Sequence, residues 1–432
     1  MPTETLMMKD SKIDWIGYIP QEWNVKKIKY CAYLKTGTTP DGNDGIVDED
    51  SDYNWYTPGD FVDNYILQLS ERNILKNAVK KYHIKLYSPG SVLMVCIGAT
   101  VGKIGYIDKY AYSNQQITAL MPKKNIIGKF LLYLLSAMTK YMNENAQYTT
   151  LPIINNTYLS SINIVLPNRI EEQQAIADFL DEKCEKIDKV IGEIEEQIQV
   201  LEDYKKSLIT ETVTKGLDKN VPMKDSGIDW IGKIPGNWQI KKIKYLFKVI
   251  NGSTPDSDYL DYWDGDITWI TPADMPDFGY ISKGERSITL KGYKSCGTML
   301  VPFNSIVLSS RAPIGKINIT EDTLCTNQGC KCLVSNNLCN KYYYYFLYSQ
   351  KEQLIDAGKG TTFIELSTYS LSNFYALLPP IKIQEQIAGY LDKECTKIDK
   401  TINDKKEQLE TIKEYKKSLI YEYVTGKKRV AC

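Results

Sequence analysis

Two long stretches of the chain repeat apolar residues at steps of three and four, which is the spacing of one face of an α-helix. The first stretch has them at Ile187, Ile191, Ile194, Ile198, Leu201 and Leu208, and the second at Ile398, Ile402, Leu409, Ile412 and Leu419, each 211 residues after its counterpart. This period is typical of a coiled-coil seam, so these residues are predicted to pair across two long helices. The second seam is imperfect, because Lys405 stands where the first has Ile194.

The rest of the chain carries proline, glycine, tyrosine and short apolar runs, a texture typical of mixed α/β globules. The runs Ser91–Ile97 and Ser305–Leu308 predict strands, and Phe130–Leu135 and Tyr342–Leu347 predict one helix in each globule. The four consecutive tyrosines of the last run would point to all sides of a helix. We therefore expect most of them to pack, with at most one or two free for a ligand.

The chain contains one unit twice. Met8–Tyr30 and Met223–Tyr245 are identical at 17 of 23 positions. Later matches keep nearly the same spacing, which drifts from 215 residues at the start to 211 in the long helices. A repeat of this length is far longer than that of a solenoid protein, so a tandem domain duplication is predicted.

The duplication predicts an α+β architecture in five segments. They are a globule at 1–167, a long spacer helix at 168–216, a second globule at 217–380, a long spacer helix at 381–426 and a basic tail at 427–432. Equivalent copies favour pseudo-twofold symmetry, with the two helices forming a coiled coil. Sequence leaves parallel and antiparallel pairing open, and the short Gly216-Leu217-Asp218 exit from the first helix favours the antiparallel form.

Composition excludes several classes of protein. The 53 basic and 53 acidic side chains cancel, and no run approaches the roughly 18 apolar residues of a transmembrane helix or the core of a signal peptide. We therefore expect a cytoplasmic protein that does not contact a membrane. A single histidine, His83, leaves little material for imidazole catalysis.

Two apparent cofactor motifs fail on spacing. Gly98–Ile104 resembles a phosphate-binding loop, but its glycines are one position too close and Ile104 replaces the Ser or Thr that reaches Mg²⁺. The cysteines at 325, 330, 332 and 339 do not have the spacing of a zinc site and have no counterparts in the first copy. We predict no metal, no cofactor and no catalysis in this chain.

Charge is distributed unevenly along the chain. Segment 168–216 has a net charge of −6 and segment 381–426 is neutral, which leaves +6 for the remainder. A nucleic-acid-binding face would therefore be local. Lysines and the hydroxyl groups of turns reach phosphates and base edges, although such a lysine is more often a solvated surface charge and a turn hydroxyl equally often only closes its turn. The candidates are Lys35, Thr38, Thr39, Lys103, Tyr148, Thr149, Thr150, Ser253, Thr254, Ser310, Arg311, Lys316, Thr361 and Thr362.

The order of motifs resembles that of the specificity subunits of type I restriction–modification systems, over the whole chain. Each half has Ile-Pro-x-x-Trp, then Gly-x-Thr-Pro, Trp-x-Thr-Pro, a Gly-Lys turn and Asn-Gln. Each half ends with Leu-Pro and a glutamine-rich helix start, at Leu166–Gln174 and Leu378–Gln386. No single motif is specific, but the ordered set occurs twice.

The resemblance implies a function in DNA recognition. Each globule would be a target-recognition domain that reads half of a bipartite site on double-stranded DNA, and the helices would set the gap and dock two modification subunits. Those subunits would bring S-adenosylmethionine and methylate adenine, while restriction subunits would add ATP- and Mg²⁺-dependent translocation and cleavage.

Base-reading residues are expected where the two copies differ, because each globule should read a different sequence. These places are Asp41–Asp52 against Asp256–Asp264, Asn143–Asn155 against Ile355–Glu365, and Ile97-Gly98 against Ser310-Arg311. Arg311 is the foremost candidate, since arginine donates two hydrogen bonds to guanine and the aligned residue is Gly98.

Two alternatives remain open from the sequence. The chain could be an orphan specificity protein of another defence assembly or of a lone methyltransferase. It could also be a scaffold that uses its helices to space two lobes that bind something other than DNA.

Overall fold

The computed structural model describes residues 7–48, 53–62, 65–145, 147–148, 152–311, 313–358 and 364–430, with the backbone alone at 147–148. The chain divides into two compact units. Unit 1 is Met1–Glu196 with Lys406–Cys432, and unit 2 is Gln197–Lys405. Each unit therefore combines one globule with part of each long helix.

The two long helices are continuous over nearly the predicted ranges. The first runs Ile170–Lys215 and the second Ile381–Val424. A glycine follows each helix closely, Gly216 at φ +79° and Gly426 at φ +71°, in the left-handed conformation that commonly ends a helix. None of the described helices is long and apolar enough to span a bilayer.

The globule of unit 1 contains two four-stranded sheets. Its described strands are Met8–Asp10, Tyr18–Pro20, Asn24–Lys27, Ala32–Thr36, Ile46–Val47, Tyr53–Tyr56, Asn73–Ile74, Val92–Val95, Ile104–Tyr106, Ala111–Ser113, Ile117–Pro122, Gln147–Tyr148, Pro152–Ile153 and Asn163–Leu166. Its α-helices are Ile28–Cys31, Lys76–Lys81, Gly128–Glu144 and Asn156–Ser161, with 3-10 turns at Asp41–Asn43 and Pro58–Asp60. In the sheet that holds the core, Ile117–Pro122 pairs antiparallel with Ala32–Thr36 on one side and Val92–Val95 on the other.

The globule of unit 2 has a five-stranded and a three-stranded sheet. Its described strands are Met223–Asp225, Lys233–Pro235, Gln239–Lys242, Lys248–Asn251, Trp263–Ile270, Phe278–Ile281, Arg286–Ile288, Ile306–Ser309, Ile317–Thr320, Cys325–Thr326, Cys330–Val334 and Tyr375–Leu378. Its α-helices are Leu290–Ser295, Asn340–Ser349, Lys351–Asp356 and Thr368–Asn373, with 3-10 turns at Ile243–Tyr245 and Leu260–Tyr262. Cys330–Val334 pairs with Lys248–Asn251 and Ile306–Ser309, as its counterpart does in unit 1.

Residues of the long helices complete the core of each globule. In unit 1, the helix Gly128–Glu144 packs in one cluster with Leu180 of the first long helix and Ile420 of the second. In unit 2, Asn340–Ser349 packs in the same way with Leu391 and Val213. Burial of this apolar surface is the main force that orders each unit.

The four tyrosines of unit 2 belong to this core. Tyr342 and Tyr343 have no exposed surface, and Tyr344 and Tyr345 are 3% and 4% exposed. The Tyr342 hydroxyl donates a hydrogen bond of 2.9 Å to the carbonyl oxygen of Val213 on the first long helix. Sheet strands cover one side of the tyrosine helix and long helices cover another, so none of the four is left exposed for a ligand.

A buried glutamine fastens the start of each long helix to its globule. Gln173 is 2% exposed, accepts a hydrogen bond from the Ile127 amide and donates to the carbonyl oxygens of Asn125 and Pro167. In unit 2, Gln384 accepts from the Cys339 amide and donates to the Pro379 carbonyl. The glutamine of the repeated helix start thus satisfies backbone groups that would otherwise be buried without partners.

The two long helices are antiparallel within each unit. In unit 1, Lys416 Nζ lies 2.6 and 2.8 Å from the carboxylate oxygens of Asp188, and Lys413 lies 3.2 Å from Glu195. Residue numbers rise along one helix as they fall along the other, so the predicted antiparallel pairing is confirmed within this unit.

Unit 2 contains the equivalent pair, each residue offset by 211. Lys205 Nζ lies 2.6 and 2.7 Å from the carboxylate oxygens of Asp399. Lys405, where the second seam lacks an apolar residue, donates a hydrogen bond of 2.6 Å to Gln197. The imperfection in the seam is therefore a polar link between the same two helices, which are antiparallel here as well.

The predicted seam positions are all withdrawn from solvent to some degree. Six are buried: Ile194, Ile198, Ile398, Ile402, Leu409 and Leu419. Five are half-buried: Ile187, Ile191, Leu201, Leu208 and Ile412. Ile187 and Leu208 also pack against the globule cores of units 1 and 2 respectively.

We predict that Lys416→Met destabilises unit 1. The side chain of Lys416 is 10% exposed, so its loss leaves the Asp188 carboxylate without its charged partner in a partly buried site. A hydrogen bond to a charged group contributes about 1.5–3 kcal/mol to the free energy of unfolding. Thermal unfolding of the full chain should therefore show a lower Tm.

Lys417→Met is the matched control. Lys417 is the next residue on the helix and pairs with Glu414, but its side chain is 70% exposed. Exposed ion pairs contribute little to stability. Equal Tm shifts for the two variants would contradict the role assigned to the Asp188–Lys416 pair.

Candidate nucleic-acid interface

The Gly-x-Thr-Pro turn and the Asn-Gln motif lie against each other in unit 1. The Thr38 amide donates to the Ser113 carbonyl at 3.0 Å, and the Thr39 hydroxyl donates to the side chain of Gln115. Any side chain on Gly37 would collide with the carbonyl oxygen of Asn114. Two motifs separated by more than seventy residues therefore form one surface element.

Unit 2 repeats this contact. The Ser253 amide donates to the Thr326 carbonyl at 2.9 Å, and the Thr254 hydroxyl donates to Gln328. Gly252 meets the carbonyl of Asn327 as closely as its counterpart does in unit 1. Because the contact is the same in both copies, these predicted turn residues close a shared structural junction, and their exposed edges present the same groups to a ligand in each unit.

An aspartate that the sequence reasoning did not identify organises the Trp-x-Thr-Pro segment. Asp60 accepts hydrogen bonds from the amide and hydroxyl of Thr57 at 2.6 and 2.8 Å, and from the Glu71 amide at 2.7 Å. In unit 2, Asp274 accepts from Thr271 at 2.7 Å twice, and from the Glu285 amide at 2.8 Å. The signal was available, because a threonine followed three residues later by an acidic residue is the spacing of a capping box.

Two predicted contact residues of unit 2 are engaged inside the globule. Lys316 donates to the carbonyl oxygens of Pro272 and Met275 at 3.0 and 2.8 Å, which ties its turn to the loop after Trp-x-Thr-Pro. Ser310 is fully buried and donates to the Gly329 carbonyl. In the structure, Lys316 is thus half-buried and Ser310 buried, and both side chains donate to backbone carbonyl groups of their own globule.

The two predicted lysines of unit 1 differ in accessibility. Lys103 is exposed and lies 3.5 Å from the Phe61 carbonyl, beside a cleft of about 1210 Å³ whose lining includes both acidic and basic side chains. Lys35 is half-buried on the strand Ala32–Thr36, opposite Ala119. Among the described residues, neither lysine side chain forms a hydrogen bond with the turn that contains Thr38 and Thr39.

The remaining candidates cannot be placed by their side chains. The backbone of Tyr148 pairs with Pro152, and its side chain lies outside the described part of the structure. Thr149, Thr150, Thr361 and Thr362 also lie outside the described residues.

Arg311 occupies an exposed position on a pairing that both units share. It bridges antiparallel to Glu365, and its Nε donates to a Glu365 carboxylate oxygen at 3.1 Å. In unit 1 the same bridge joins Ile97 to Ile153. The structural counterpart of Arg311 is therefore Ile97 and not Gly98. The turn that leads from this position to Gly-Lys is one residue shorter in unit 2 than in unit 1.

The two units differ in chemistry around this bridge. In unit 2, Lys331 lies 3.6 Å from Glu365, so the position carries three charged groups. In unit 1, the equivalent strands hold a neutral network in which Thr118 contacts Thr36 at 3.0 Å and Asn156 at 3.1 Å. A shared backbone pairing thus carries neutral side chains in one unit and charged side chains in the other.

The clustered cysteines are buried thiols. Cys325, Cys330 and Cys332 are fully buried, and burial raises the pKa of Cys325 to about 11 and that of Cys332 to about 12. No cluster of three or more potential metal ligands occurs among the described residues.

The repeated motifs converge on one cleft of about 470 Å³ in unit 1. The residues that line it are Thr39, Asn43, Trp55, Thr57, Pro58, Glu71, Arg72, Asn114 and Gln116. Three repeated motifs contribute to it, because Thr39 belongs to the Gly-x-Thr-Pro turn, Trp55, Thr57 and Pro58 to the Trp-x-Thr-Pro segment, and Asn114 to the Asn-Gln motif.

Comparison with known protein families accounts for this duplicated motif set. The family described as type I restriction modification DNA specificity domain matches twice, at residues 20–200 and 235–411. The chain belongs to the type I DNA specificity family. It carries one copy of the family domain in each half, and the role of the family is DNA specificity rather than catalysis.

Named relatives of the specificity family extend over different parts of the chain. The type I restriction enzyme MjaIX specificity subunit of Methanocaldococcus jannaschii is 40% identical over 187 residues, which is 42% of either chain. The MjaVIII specificity subunit of the same organism is 24% identical over 441 residues, covering 95% of this chain and 94% of the relative.

A solved structure has a similar fold over nearly the same extent of the chain. That structure, from a study of complex assembly and conformational transition of the type I R-M system, has a TM-score of 0.73. Its sequence is 15% identical, and the match covers 94% of this chain and 99% of the chain in that structure. The predicted α+β fold of two globules with long helices is thereby confirmed.

We predict that Asp274→Ala destabilises unit 2, because three hydrogen bonds to its carboxylate are lost and the Glu285 amide loses its partner. Removal of a capping side chain costs about 0.5–2 kcal/mol of the free energy of unfolding. Asp277→Ala, an exposed neighbour with no side-chain hydrogen bond among the described residues, is the control. In urea unfolding, Asp274→Ala should have a lower transition midpoint than Asp277→Ala. An unfolding curve for Asp274→Ala that overlays that of the control would rule out the stabilising role of Asp274.

Proposed function

We propose that the chain reads a bipartite site on double-stranded DNA, with each globule reading one half-site. The observation that carries this proposal is the bridge shared by Arg311–Glu365 and Ile97–Ile153. The backbone is retained at this place while the side chains change from apolar to charged. Such a pattern suits two domains that dock in the same way but read different bases.

We further propose that the long helices dock two modification subunits, and that restriction subunits join the same assembly. S-adenosylmethionine, ATP and Mg²⁺ would act on those partner subunits. Equivalent exposed tyrosines on the two helices, Tyr204 and Tyr415, are 55% and 58% exposed. Side chains repeated in both copies and exposed suit a partner that binds twice.

Arg311 is proposed to read guanine in the second half-site. Its side chain is 51% exposed, so the guanidinium is accessible. Arginine forms a bidentate hydrogen bond with guanine O6 and N7. The ion pair to Glu365 orients it along the exposed edge of the bridge before DNA binds.

Mapping of N6-methyladenine tests the bipartite reading. The chain is co-expressed with its candidate modification subunits in a host that lacks other adenine methylation. We expect methylation within a motif of two short defined blocks separated by an undefined gap. A contiguous motif, or a stable complex that leaves all adenines unmodified, would count against the bipartite reading.

Arg311→Ala should relax one block of that motif. Loss of a bidentate contact costs about 1–3 kcal/mol of discrimination at the contacted base pair. We expect one position of the second block to become degenerate while the first block is unchanged, as measured by methylome sequencing.

Arg429→Ala provides the control, because Arg429 is another exposed arginine and pairs with Glu22 outside the proposed reading surface. It should leave both blocks unchanged. Uniform loss of methylation at every site in Arg311→Ala would instead identify Arg311 as a phosphate contact.

A further inference from the structure

Two arginines occupy equivalent positions in the two units and were not among the predicted site residues. The chain has five arginines, Arg72, Arg169, Arg286, Arg311 and Arg429, against a large excess of lysine. Arg72 and Arg286 alone form a matched pair, within Glu-Arg-Asn-Ile and Glu-Arg-Ser-Ile. Arginine differs from lysine in its planar fork of five donors, which matches the geometry of a phosphate.

Contacts within the protein do not explain why both copies keep arginine. Arg72 pairs with Asp48 at 3.5 Å, an exposed ion pair of the kind that contributes little to stability. Arg286 instead lies over the ring of Trp263, with its guanidinium carbon 3.4 Å from the ring centre. The intramolecular partner has changed from a carboxylate to an aromatic ring while the arginine has stayed.

The stacked guanidinium of Arg286 is available to a ligand, and that of Arg72 is held through Nε by the exposed ion pair to Asp48. Stacking on an aromatic face holds a guanidinium without using its N–H groups, and Arg286 makes no hydrogen bond through its side chain within the described residues. Arg72 lines the 470 Å³ cleft formed by the repeated motifs. A ligand common to both units is therefore the simplest reason for the retained arginine.

The position of the cleft indicates what this ligand is. Gln116, which lines the cleft with Arg72, donates to the carbonyl oxygen of Ile97 at 3.4 Å. Ile97 is the counterpart of Arg311, where the two units differ in chemistry. Arg72, which both copies keep as arginine, thus lies on the same surface as Ile97, where the copies differ. A DNA duplex has the same arrangement, because a phosphate of constant chemistry flanks each variable base pair.

We propose that Arg72 and Arg286 each hold a backbone phosphate of the DNA beside their half-site. The proposal rests on the proposed DNA-reading function and adds its sequence-independent anchor. The guanidinium donates to phosphate oxygens, and Arg72 exchanges its exposed partner Asp48 for the phosphate. Glu71 also lines the cleft, so an anion there meets one repulsive neighbour.

The test uses the full chain in complex with its co-expressed modification subunits. Affinity is measured for a duplex that carries the methylated motif and for a scrambled duplex of equal length, over a series of salt concentrations. For Arg72→Ala and for Arg286→Ala, we expect roughly tenfold weaker binding to both duplexes and a salt-dependence slope smaller by about 1. The methylated motif should not change.

Charge variants at the same sites supply matched controls. Arg72→Lys and Arg286→Lys keep the positive charge and should retain the salt slope, with a smaller loss of affinity. Because Arg286 packs on Trp263, the Arg286→Ala variant can lose affinity through misfolding. The lysine variant separates that effect from the loss of positive charge. Glu71→Gln should strengthen binding to both duplexes, because it removes the repulsive charge.

Several results would overturn the assignment. An altered methylation motif would make these arginines base readers, an unchanged salt slope would remove them from the phosphate contacts, and loss of the modification subunits from the complex would make the site a docking surface for those subunits. Failure of the proposed function would look different, because the wild-type complex would then not distinguish the motif duplex from the scrambled one.

Discussion

The sharing of apolar surface between globule and long helix is the constraint on which each unit depends. The helix Gly128–Glu144 has no complete core until Leu180 and Ile420 pack against it. The long helices in turn have an apolar stripe that a single helix cannot bury. Each unit satisfies both needs at once, which is why the compact units include parts of both helices.

Charged groups then specify how the helices pair. An apolar seam tolerates more than one direction and register of the two helices. The Asp188–Lys416 ion pair forms in only one of these arrangements, because it requires those two residues to lie side by side. The same lysine lies 5.3 Å from the ring of Tyr65, and Lys205 lies 5.8 Å from that of Phe278 in unit 2. A single lysine in each unit thus links both helices and the globule.

Duplication separates residues with a shared structural role from the proposed reading residues in this chain. Asp60 and Asp274 make the same three hydrogen bonds, and a change in one would unfasten the loop in its unit. Arg311 and Ile97 share a backbone bridge that depends little on the side chain, so the residue is free to differ between the two units. Two copies of one scaffold can therefore differ in side-chain chemistry at this position while they keep the same backbone.

Local pattern by itself determined the long helices, the duplication and the family, because heptad spacing and motif order are properties of consecutive residues. It could not show that Ser310 is buried, that Lys316 donates to carbonyl oxygens or that Arg311 is the structural counterpart of Ile97, since these depend on strands distant in sequence. The capping role of Asp60 is readable from its spacing to Thr57, but the hydrogen bond that it accepts from the Glu71 amide is not readable from the sequence. Only the tertiary structure decided which polar residues face solvent, because a side chain's hydrogen-bond partners are chosen by packing between distant segments.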